Sequence, residues 1–241
     1  MAQIIIDSVS KRYKKILALD NLSLSINKGE LFGLLGVNGA GKSTLIKILS
    51  GLTKKSSGEV VINGLNLDTD IDKIKEIIGI SPQETSIATN LTVRENLEFF
   101  ANIYSQDKSY IDDIVKTFNL AEVLNQRAKT LSGGYKRKLS VAIALISKPQ
   151  ILFLDEPTLG LDVFSRRELW GIIEKLKGKI TIILTSHYLE EIEHLCDSVA
   201  VLSKGKLLKV GTIDEIKKMT DKNTFEDAFI SLVEMGNEQN G

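Results

Sequence analysis

The hydrophobic positions in the first third of the chain follow strand patterns. Apolar and polar residues alternate over 22–26, which predicts a strand with one buried face. Residues 30–35 are almost continuously apolar, as expected of a strand covered on both faces. A glycine-rich stretch then leads into residues 42–50, which have helical character. Residues 58–64 end in Asn-Gly, a strong turn signal, and therefore predict a hairpin.

The middle third changes to helical periodicity. Thr92 and Glu95 fit a capping box, and mostly apolar side chains follow at helical spacing as far as Tyr104. A second set of apolar side chains repeats this spacing from Ile111 to Phe118. We therefore predict a helical insert at 84–149 inside one discontinuous domain.

Strands and helices alternate in the last third. Strands are predicted over 151–155, 180–185 and 198–202, and helices over 165–177 and 189–195. This alternation is typical of a parallel sheet with crossover helices, so the predicted fold class is α/β. Near the end, a terminal amphipathic helix followed by a polar tail is predicted from Phe225, Phe229 and Leu232.

Composition narrows the functional classes. The chain has 241 residues, with 31 Lys and Arg against 31 Asp and Glu, and its zero net charge disfavours nucleic acid as the main partner. Its one cysteine, Cys196, excludes an internal disulfide and favours a reducing compartment. No segment approaches the roughly 18–20 apolar residues of a membrane span, and the first residues lack a signal-peptide pattern. We expect a cytoplasmic protein with no direct membrane insertion.

Residues 36–44 match the phosphate-binding pattern G-x-x-x-x-G-K-[ST]. Glycines let consecutive backbone N–H groups point at an anion, and the following helix adds its positive end. A glycine-rich turn without a ligand is the alternative, but the motif follows an apolar strand and opens a helix, as phosphate binding requires. Lys42 is then expected at the β- and γ-phosphates and Ser43 at Mg²⁺. The residues of this phosphate loop are Gly36, Val37, Asn38, Gly39, Ala40, Gly41, Lys42, Ser43 and Thr44.

Two adjacent carboxylates, Asp155 and Glu156, follow the apolar strand predicted at 151–155. Ligands of open α/β sheets bind at the carboxyl ends of the strands. An acidic pair in isolation is more often a capped turn, but the phosphate loop reverses that preference. We expect Asp155 to hold Mg²⁺, through water, and Glu156 to act as general base on an attacking water.

The segment Leu131-Ser132-Gly133-Gly134-Tyr135 resembles the signature motif of ATP-binding-cassette (ABC) ATPases. Further motifs occur in the order and spacing of that family, so the resemblance covers nearly the whole chain. Taken singly, these residues have ordinary alternatives as packing or solvated loop residues. The further motifs are Tyr13 as the adenine-stacking aromatic, Gln83 of the Q-loop, the D-loop at 159–162 with Asp162, and the switch histidine His187.

The resemblance implies a P-loop NTPase (RecA-like) core with an N-terminal antiparallel β-subdomain and an inserted α-helical subdomain. The nucleotide-binding core is expected at 1–83 and 150–215. The helical signature subdomain is expected at 84–149, and a C-terminal helix and tail at 216–241.

The resemblance also implies two chains that dimerise head to tail around two ATP molecules. Ser132, Gly133 and Gly134 of one protomer would contact the γ-phosphate held by the phosphate loop of the other. Asp162 would cross the interface.

Within each site, the resemblance places Tyr13 on adenine and Gln83 on Mg²⁺, where Gln83 also senses the helical insert. His187 would contact the γ-phosphate and hold the attacking water with Glu156. The sequence departs from the family pattern at Tyr135, where glutamine is commonest, and at Leu159, where a small polar residue is usual. These departures affect interface details rather than the expected chemistry.

An ATPase of this family works on another molecule. The chain is similar to cassettes of exporters for drugs, antibiotic peptides, sodium or polysaccharides, which implies a polytopic permease on a separate chain at the inner face of the cell membrane. The alternative is a soluble ABC ATPase such as an iron–sulfur assembly factor. The transported substrate, the direction of transport and the choice between homodimer and heterodimer stay open.

Overall fold

Two β-sheets form the framework of the protein in a computed structural model that describes residues 1–238. The strands are β1 (Ala2–Tyr13), β2 (Ile16–Asn27), β3 (Leu31–Gly36), β4 (Ser57–Ile62), β5 (Leu65–Asn66), β6 (Ile78–Ser81), β7 (Ile151–Asp155), β8 (Thr181–Ser186), β9 (Ser198–Ser203) and β10 (Lys206–Gly211). The helices are α1 (Lys42–Leu49), α2 (Ile71–Ile77), α3 (Val93–Ile103), α4 (Lys108–Thr117), α5 (Gly133–Ile146), α6 (Val163–Glu174), α7 (Leu189–Leu195), α8 (Ile213–Thr220) and α9 (Phe225–Glu238).

The larger sheet has the strand order β10-β9-β3-β8-β7-β6. Neighbouring strands from β9 to β6 pair in parallel, and β10 pairs antiparallel to β9 at one edge. Every residue of β3, β7 and β8 is buried, which explains the apolar runs at 31–35, 151–154 and 182–184. Because these strands run in the same direction, their carboxyl ends meet at one edge of the sheet.

The smaller sheet is antiparallel, in the order β2-β1-β4-β5. Ile62 pairs with Leu65 across the predicted Asn63-Gly64 turn, where both turn residues have positive φ (52° and 79°) as a type I′ turn requires. Helix α1 packs between the two sheets, with Leu45 and Ile48 fully buried in a core that both sheets share. The predicted α/β class with an N-terminal antiparallel sheet is confirmed.

Helices α3, α4 and α5 lie within residues 84–149 and pack together. The Thr92 capping box is formed: the Glu95 N–H donates to the Thr92 hydroxyl at 3.1 Å, and the Thr92 N–H donates to the Glu95 carboxylate at 2.7 Å. The helical pattern predicted through Tyr104 ends one residue early, and the Tyr104 side chain is exposed rather than buried.

The predicted C-terminal helix is α9. Its Phe225, Ala228 and Leu232 are buried, and it packs on α8, β9 and β10. The predicted polar tail lies largely outside the described residues. Within residues 1–238, no helix combines the length and the apolar character that crossing a membrane demands.

Candidate nucleotide site

The phosphate loop connects β3 to α1 in a conformation that depends on glycine. A Cβ on Gly36 would lie 2.5 Å from the Leu202 carbonyl oxygen, so no side chain fits there. Gly41 has a φ of 106°, in the region that L side chains rarely adopt. The loop therefore lies tightly against the end of β9, and the positive end of α1 begins directly after it.

Lys42 is the buried cation of this loop, with 6% of its surface exposed. Its Nζ donates to the Gly36 carbonyl oxygen at 2.7 Å and lies 3.7 Å from Glu156 Oε1. Burial lowers the pKa of Lys42 below its ordinary value, while the charges of Glu156 and Asp155 oppose that shift. The ammonium group thus lies between the phosphate loop and the acidic end of β7.

Asp155 ends β7 within reach of two hydroxyl groups. Its Oδ1 accepts from the Ser43 hydroxyl at 3.2 Å and from the Thr185 hydroxyl at 2.6 Å. A carboxylate and a hydroxyl oxygen that converge in this way suit Mg²⁺, a hard cation that keeps most of its ligands as water and phosphate oxygens. No group of three or more His, Cys, Asp or Glu side chains that could hold a metal occurs in the described part of the chain.

Glu156 has a left-handed backbone, with φ at 51°, which is uncommon for glutamate. Its N–H donates to both the hydroxyl (2.9 Å) and the carbonyl oxygen (3.2 Å) of Thr185 on the neighbouring strand. Its carboxylate Oε2 lies 2.7 Å from Nδ1 of His187, the residue directly after β8. The strained turn therefore directs Glu156 toward both His187 and Lys42.

Lys42, Ser43, Glu156 and His187 line one cavity of about 610 Å³. Tyr13, which is 41% exposed, lies at its edge, with Lys11 Nζ 4.7 Å from the centre of the ring. Sequence reasoning missed the contributions of Lys204 and of the start of β2. The lining residues are Tyr13, Ile16, Leu17, Ala18, Asn38, Gly39, Ala40, Gly41, Lys42, Ser43, Thr44, Gln83, Glu156, Leu159, His187 and Lys204.

The signature residues Ser132, Gly133 and Gly134 are not among the residues that line this cavity. The Ser132 hydroxyl instead caps α5 by accepting from the Tyr135 N–H at 3.4 Å. A Cβ on Gly134 would lie 2.7 Å from the Ser165 hydroxyl, so the signature loop packs closely on the start of α6. Within one chain, the structure does not bring this motif together with the phosphate loop.

Asp162 lies beside the signature loop rather than in the cavity. Its Oδ1 accepts from the N–H groups of Phe164 (2.9 Å) and Ser165 (3.0 Å), and it caps α6. Hydrogen bonds from Ser165 lower the pKa of the Asp162 carboxyl. At Tyr135, Lys138 Nζ lies 4.1 Å from the centre of the ring, and the same ammonium is 3.1 Å from Glu168.

The chain is similar in sequence to ABC transporter proteins. The family model described as "ABC transporter" matches residues 19–159. The linearmycin resistance ATP-binding protein LnrL of Bacillus subtilis is 38% identical over 211 residues, which are 86% of this chain and 68% of that protein. Some other curated relatives are far longer, and the chain spans only 24% of one of them.

Two solved structures are similar over most of their length. An ATP-binding subunit of an ABC transporter aligns with a TM-score of 0.86 at 27% identity, covering 95% of this chain and 99% of that one. A dimeric ATP-binding cassette in a post-hydrolysis state, bound to ADP and Pi, aligns with a TM-score of 0.77 at 27% identity, covering 87% and 98%. These overlaps confirm the predicted P-loop NTPase fold.

Proposed function

This chain belongs to the ABC transporter family, and from that premise we propose that it binds and hydrolyses ATP to energise a transmembrane permease on a separate chain. The observation that carries the proposal is the convergence of the phosphate loop, Glu156 and His187 on one cavity. The distance of 2.7 Å between the Glu156 carboxylate and His187 Nδ1 gives that cavity a general base with an orienting partner.

Each part of the nucleotide meets matching chemistry in this assignment. The phosphate loop and Lys42 bind the β- and γ-phosphates, because loop N–H groups and a buried ammonium are complementary to anions. Tyr13 stacks on the adenine from the cavity edge. Ser43, Asp155 and Gln83 hold Mg²⁺, which when bound neutralises charge on the phosphate oxygens.

Hydrolysis then requires a water molecule that is oriented for attack on the γ-phosphorus. Glu156 accepts a proton from the water while the water oxygen bonds to the γ-phosphorus, and the bond between that phosphorus and the ADP oxygen breaks. His187 holds Glu156 and contacts the γ-phosphate. The left-handed backbone at Glu156, with φ at 51°, is consistent with strain kept at a reacting group.

A second nucleotide-binding subunit completes the site. Ser132, Gly133 and Asp162 are exposed and do not line the cavity of their own chain, so they can face the phosphate loop of a second copy. Ser132, Gly133 and Gly134 would then present a hydroxyl, N–H groups and the positive end of α5 to the γ-phosphate. ATP therefore drives head-to-tail dimerisation. Homodimer and heterodimer both fit this arrangement.

The permease contacts the helical subdomain at 84–149. A second cavity, of about 330 Å³, lies between this subdomain and the core at 1–83 and 150–215. Its lining includes the exposed Leu52 and Tyr104 together with Phe100, an apolar surface suited to a cytoplasmic loop of a membrane protein. Strand β6 lines this groove, and Gln83, two residues after β6, lines the nucleotide cavity, so dimer closure would move the groove against the permease. The C-terminal helix is α9 (Phe225–Glu238), and the boundary expected at 216 falls inside α8 (Ile213–Thr220).

Export at the inner face of the cell membrane is the direction that we favour. The support is the name of the Bacillus subtilis relative, a resistance ATP-binding protein. The similarity to exporter cassettes over residues 185–202 agrees with it.

The catalytic assignment is tested with Glu156→Gln. We expect a stable ATP-bound dimer with turnover reduced at least about a hundredfold, because the general base is lost while the nucleotide contacts remain. Glu193→Gln is the matched control, since Glu193 is exposed on α7 and should leave turnover unchanged. Hydrolysis near the wild-type rate in Glu156→Gln would remove Glu156 from its role.

The binding assignment is tested with Lys42→Ala, which should abolish ATP binding in a fluorescence titration. Undiminished affinity would contradict the phosphate-loop assignment. For the permease, affinity purification from detergent-solubilised cells should recover a polytopic membrane protein. Recovery of soluble partners alone would favour the alternative of a soluble ABC ATPase.

A further inference from the structure

Arg137 lies on α5, the helix that the signature loop opens, but its side chain is turned inward. Only 5% of its surface is exposed. Its Nη1 donates to the Pro82 carbonyl oxygen at 2.8 Å, and its Nη2 donates to the Gln83 carbonyl oxygen at 2.8 Å. A buried cation therefore binds two successive backbone carbonyls of the loop that contains Gln83.

Three carboxylates compensate for part of the cost of burying this guanidinium. Burial lowers the pKa of Arg137, and the charges of Asp155, Glu191 and Glu156 oppose that shift. A buried charge is tolerated only where its hydrogen bonds and opposite charges compensate for lost water. The carbonyls of Pro82 and Gln83 supply the hydrogen bonds that it makes to this loop, so the loop and the guanidinium depend on each other.

The shape of arginine matters at this position. The rigid fork of a guanidinium directs two N–H groups in parallel, whereas a lysine ammonium is a single flexible point charge. Both carbonyls are therefore fixed relative to α5. A second contact also joins this segment to α5: the hydroxyl of Ser81, at the end of β6, lies 3.0 Å from the hydroxyl of Ser140 on α5.

The side chain of Gln83 lines the nucleotide cavity, while its backbone is held from the side of the signature helix. We propose that Arg137 is a positioning residue that couples the signature helix to the Q-loop and sets the position of Gln83 in the cavity. It contacts the backbone of Gln83 and not the nucleotide. The functional part of this inference rests on the proposed ATPase activity.

A double-mutant cycle separates positioning from general structural support. Arg137→Lys and Arg137→Gln are made in the wild type and in a Gln83→Ala background, and ATP hydrolysis is measured against Mg²⁺ concentration. In the wild-type background we expect Arg137→Gln to lower kcat by about tenfold. Removing a group that orients a metal ligand typically lowers activity by about 10- to 100-fold, and this value is at the low end of that range. The kcat of Arg137→Lys should lie between the kcat of Arg137→Gln and that of the wild type. In the Gln83→Ala background neither change should lower kcat further.

Arg167 provides the matched control. It is an exposed arginine on α6, so Arg167→Lys and Arg167→Gln make the same chemical changes without touching the Q-loop. These variants should keep wild-type kcat in both backgrounds. An equal loss of kcat from Arg137→Gln with and without Gln83 would overturn the proposal, because a purely structural role costs the same in both. Arg137→Lys carries this comparison if Arg137→Gln does not fold.

Hydrogen exchange tests the coupling without any turnover. In the nucleotide-free protein, Arg137→Lys should accelerate amide exchange at residues 83–88 and leave the middle of α5 unchanged. Unchanged exchange at residues 83–88 would overturn the proposal even if the protein hydrolyses ATP. A wild type that does not hydrolyse ATP, with accelerated exchange in Arg137→Lys, would contradict the proposed function and leave the mechanical coupling supported.

Discussion

Thr185 on β8 joins the two acidic residues of the site through a single hydroxyl group. Its Oγ1 donates to Asp155 Oδ1 at 2.6 Å and accepts from the Glu156 N–H at 2.9 Å, and the residue is completely buried. Thr185→Val keeps nearly the same shape and deletes both hydrogen bonds. Neither partner is left alone, because Asp155 still accepts from Ser43 at 3.2 Å and the Glu156 N–H still donates to the Thr185 carbonyl oxygen at 3.2 Å.

The expected loss of stability in Thr185→Val follows from the two hydrogen bonds of the Thr185 hydroxyl. A hydrogen bond to a charged group contributes about 1.5–3 kcal/mol, and one between neutral groups about 0.5–1.5 kcal/mol. We therefore expect Thr185→Val to lower the free energy of unfolding by about 2–4 kcal/mol. Turnover should fall as well, since the same hydroxyl holds the strained backbone of Glu156 in place.

The assay is urea unfolding of the nucleotide-free protein at neutral pH, with Thr185→Ser as the control. Serine keeps the hydroxyl and loses one buried methyl group, which costs about 1 kcal/mol. Thr185→Val should therefore be clearly less stable than Thr185→Ser. If the valine variant were as stable as the serine variant, the hydroxyl would not be the group that organises this end of the sheet.

Three other predictions test separate features. Burial raises the pKa of Glu191 above its ordinary value near 4.5, so its stabilising contribution is full below that pH and is lost as pH rises through the folded pKa; Glu191→Gln should gain stability over the wild type as the pH rises above about 4.5 in urea unfolding, and a constant difference would refute this. Tyr13→Ala should weaken ATP binding about tenfold, because the stacking on adenine is lost, whereas Tyr13→Phe should bind ATP with nearly wild-type affinity. Equal ATP affinity in all three proteins would contradict the stacking role. Gly79→Ala should lower the free energy of unfolding by about 1–3 kcal/mol, because its Cβ would lie 2.2 Å from the Ala144 carbonyl oxygen. Gly171→Ala is its control, since that position of α6 faces open space and alanine should stabilise the helix by about 1 kcal/mol; equal effects at the two glycines would refute the close contact.

Strands buried on both faces were predictable from the apolar runs that they contain, at 31–35 in β3, 151–154 in β7 and 182–184 in β8. Strand β1 has no such signal. Its pairing with β2 shifts register several times, and Ser8 has a positive φ, so the alternation of its apolar residues is interrupted. Strand β10 lies at the sheet edge with mostly half-buried residues, which leaves no clear pattern to read.

The phosphate loop and the acidic pair could be proposed from the sequence because the chemistry expected of them requires particular residues at fixed spacing. The supporting residues were not, since their roles arise from contacts between distant segments. Arg137 is 54 residues from the Gln83 carbonyl that it binds, and Thr185 is 30 residues from Asp155. One signal was available: Thr185 is a polar residue near the end of an otherwise apolar strand, where a buried hydroxyl needs a partner.

The position of the signature loop outside the cavity of its own chain has a kinetic consequence. If each chain supplies only half of every reaction centre, dilute protein should turn over at a rate that rises with the square of its concentration. Two copies docked on one permease would instead meet at an effective concentration near the millimolar range, as short tethers generally provide. Hydrolysis would then follow first-order kinetics in assembled transporters, and chains in excess of permease would consume little ATP. Assembly itself would thus limit futile hydrolysis.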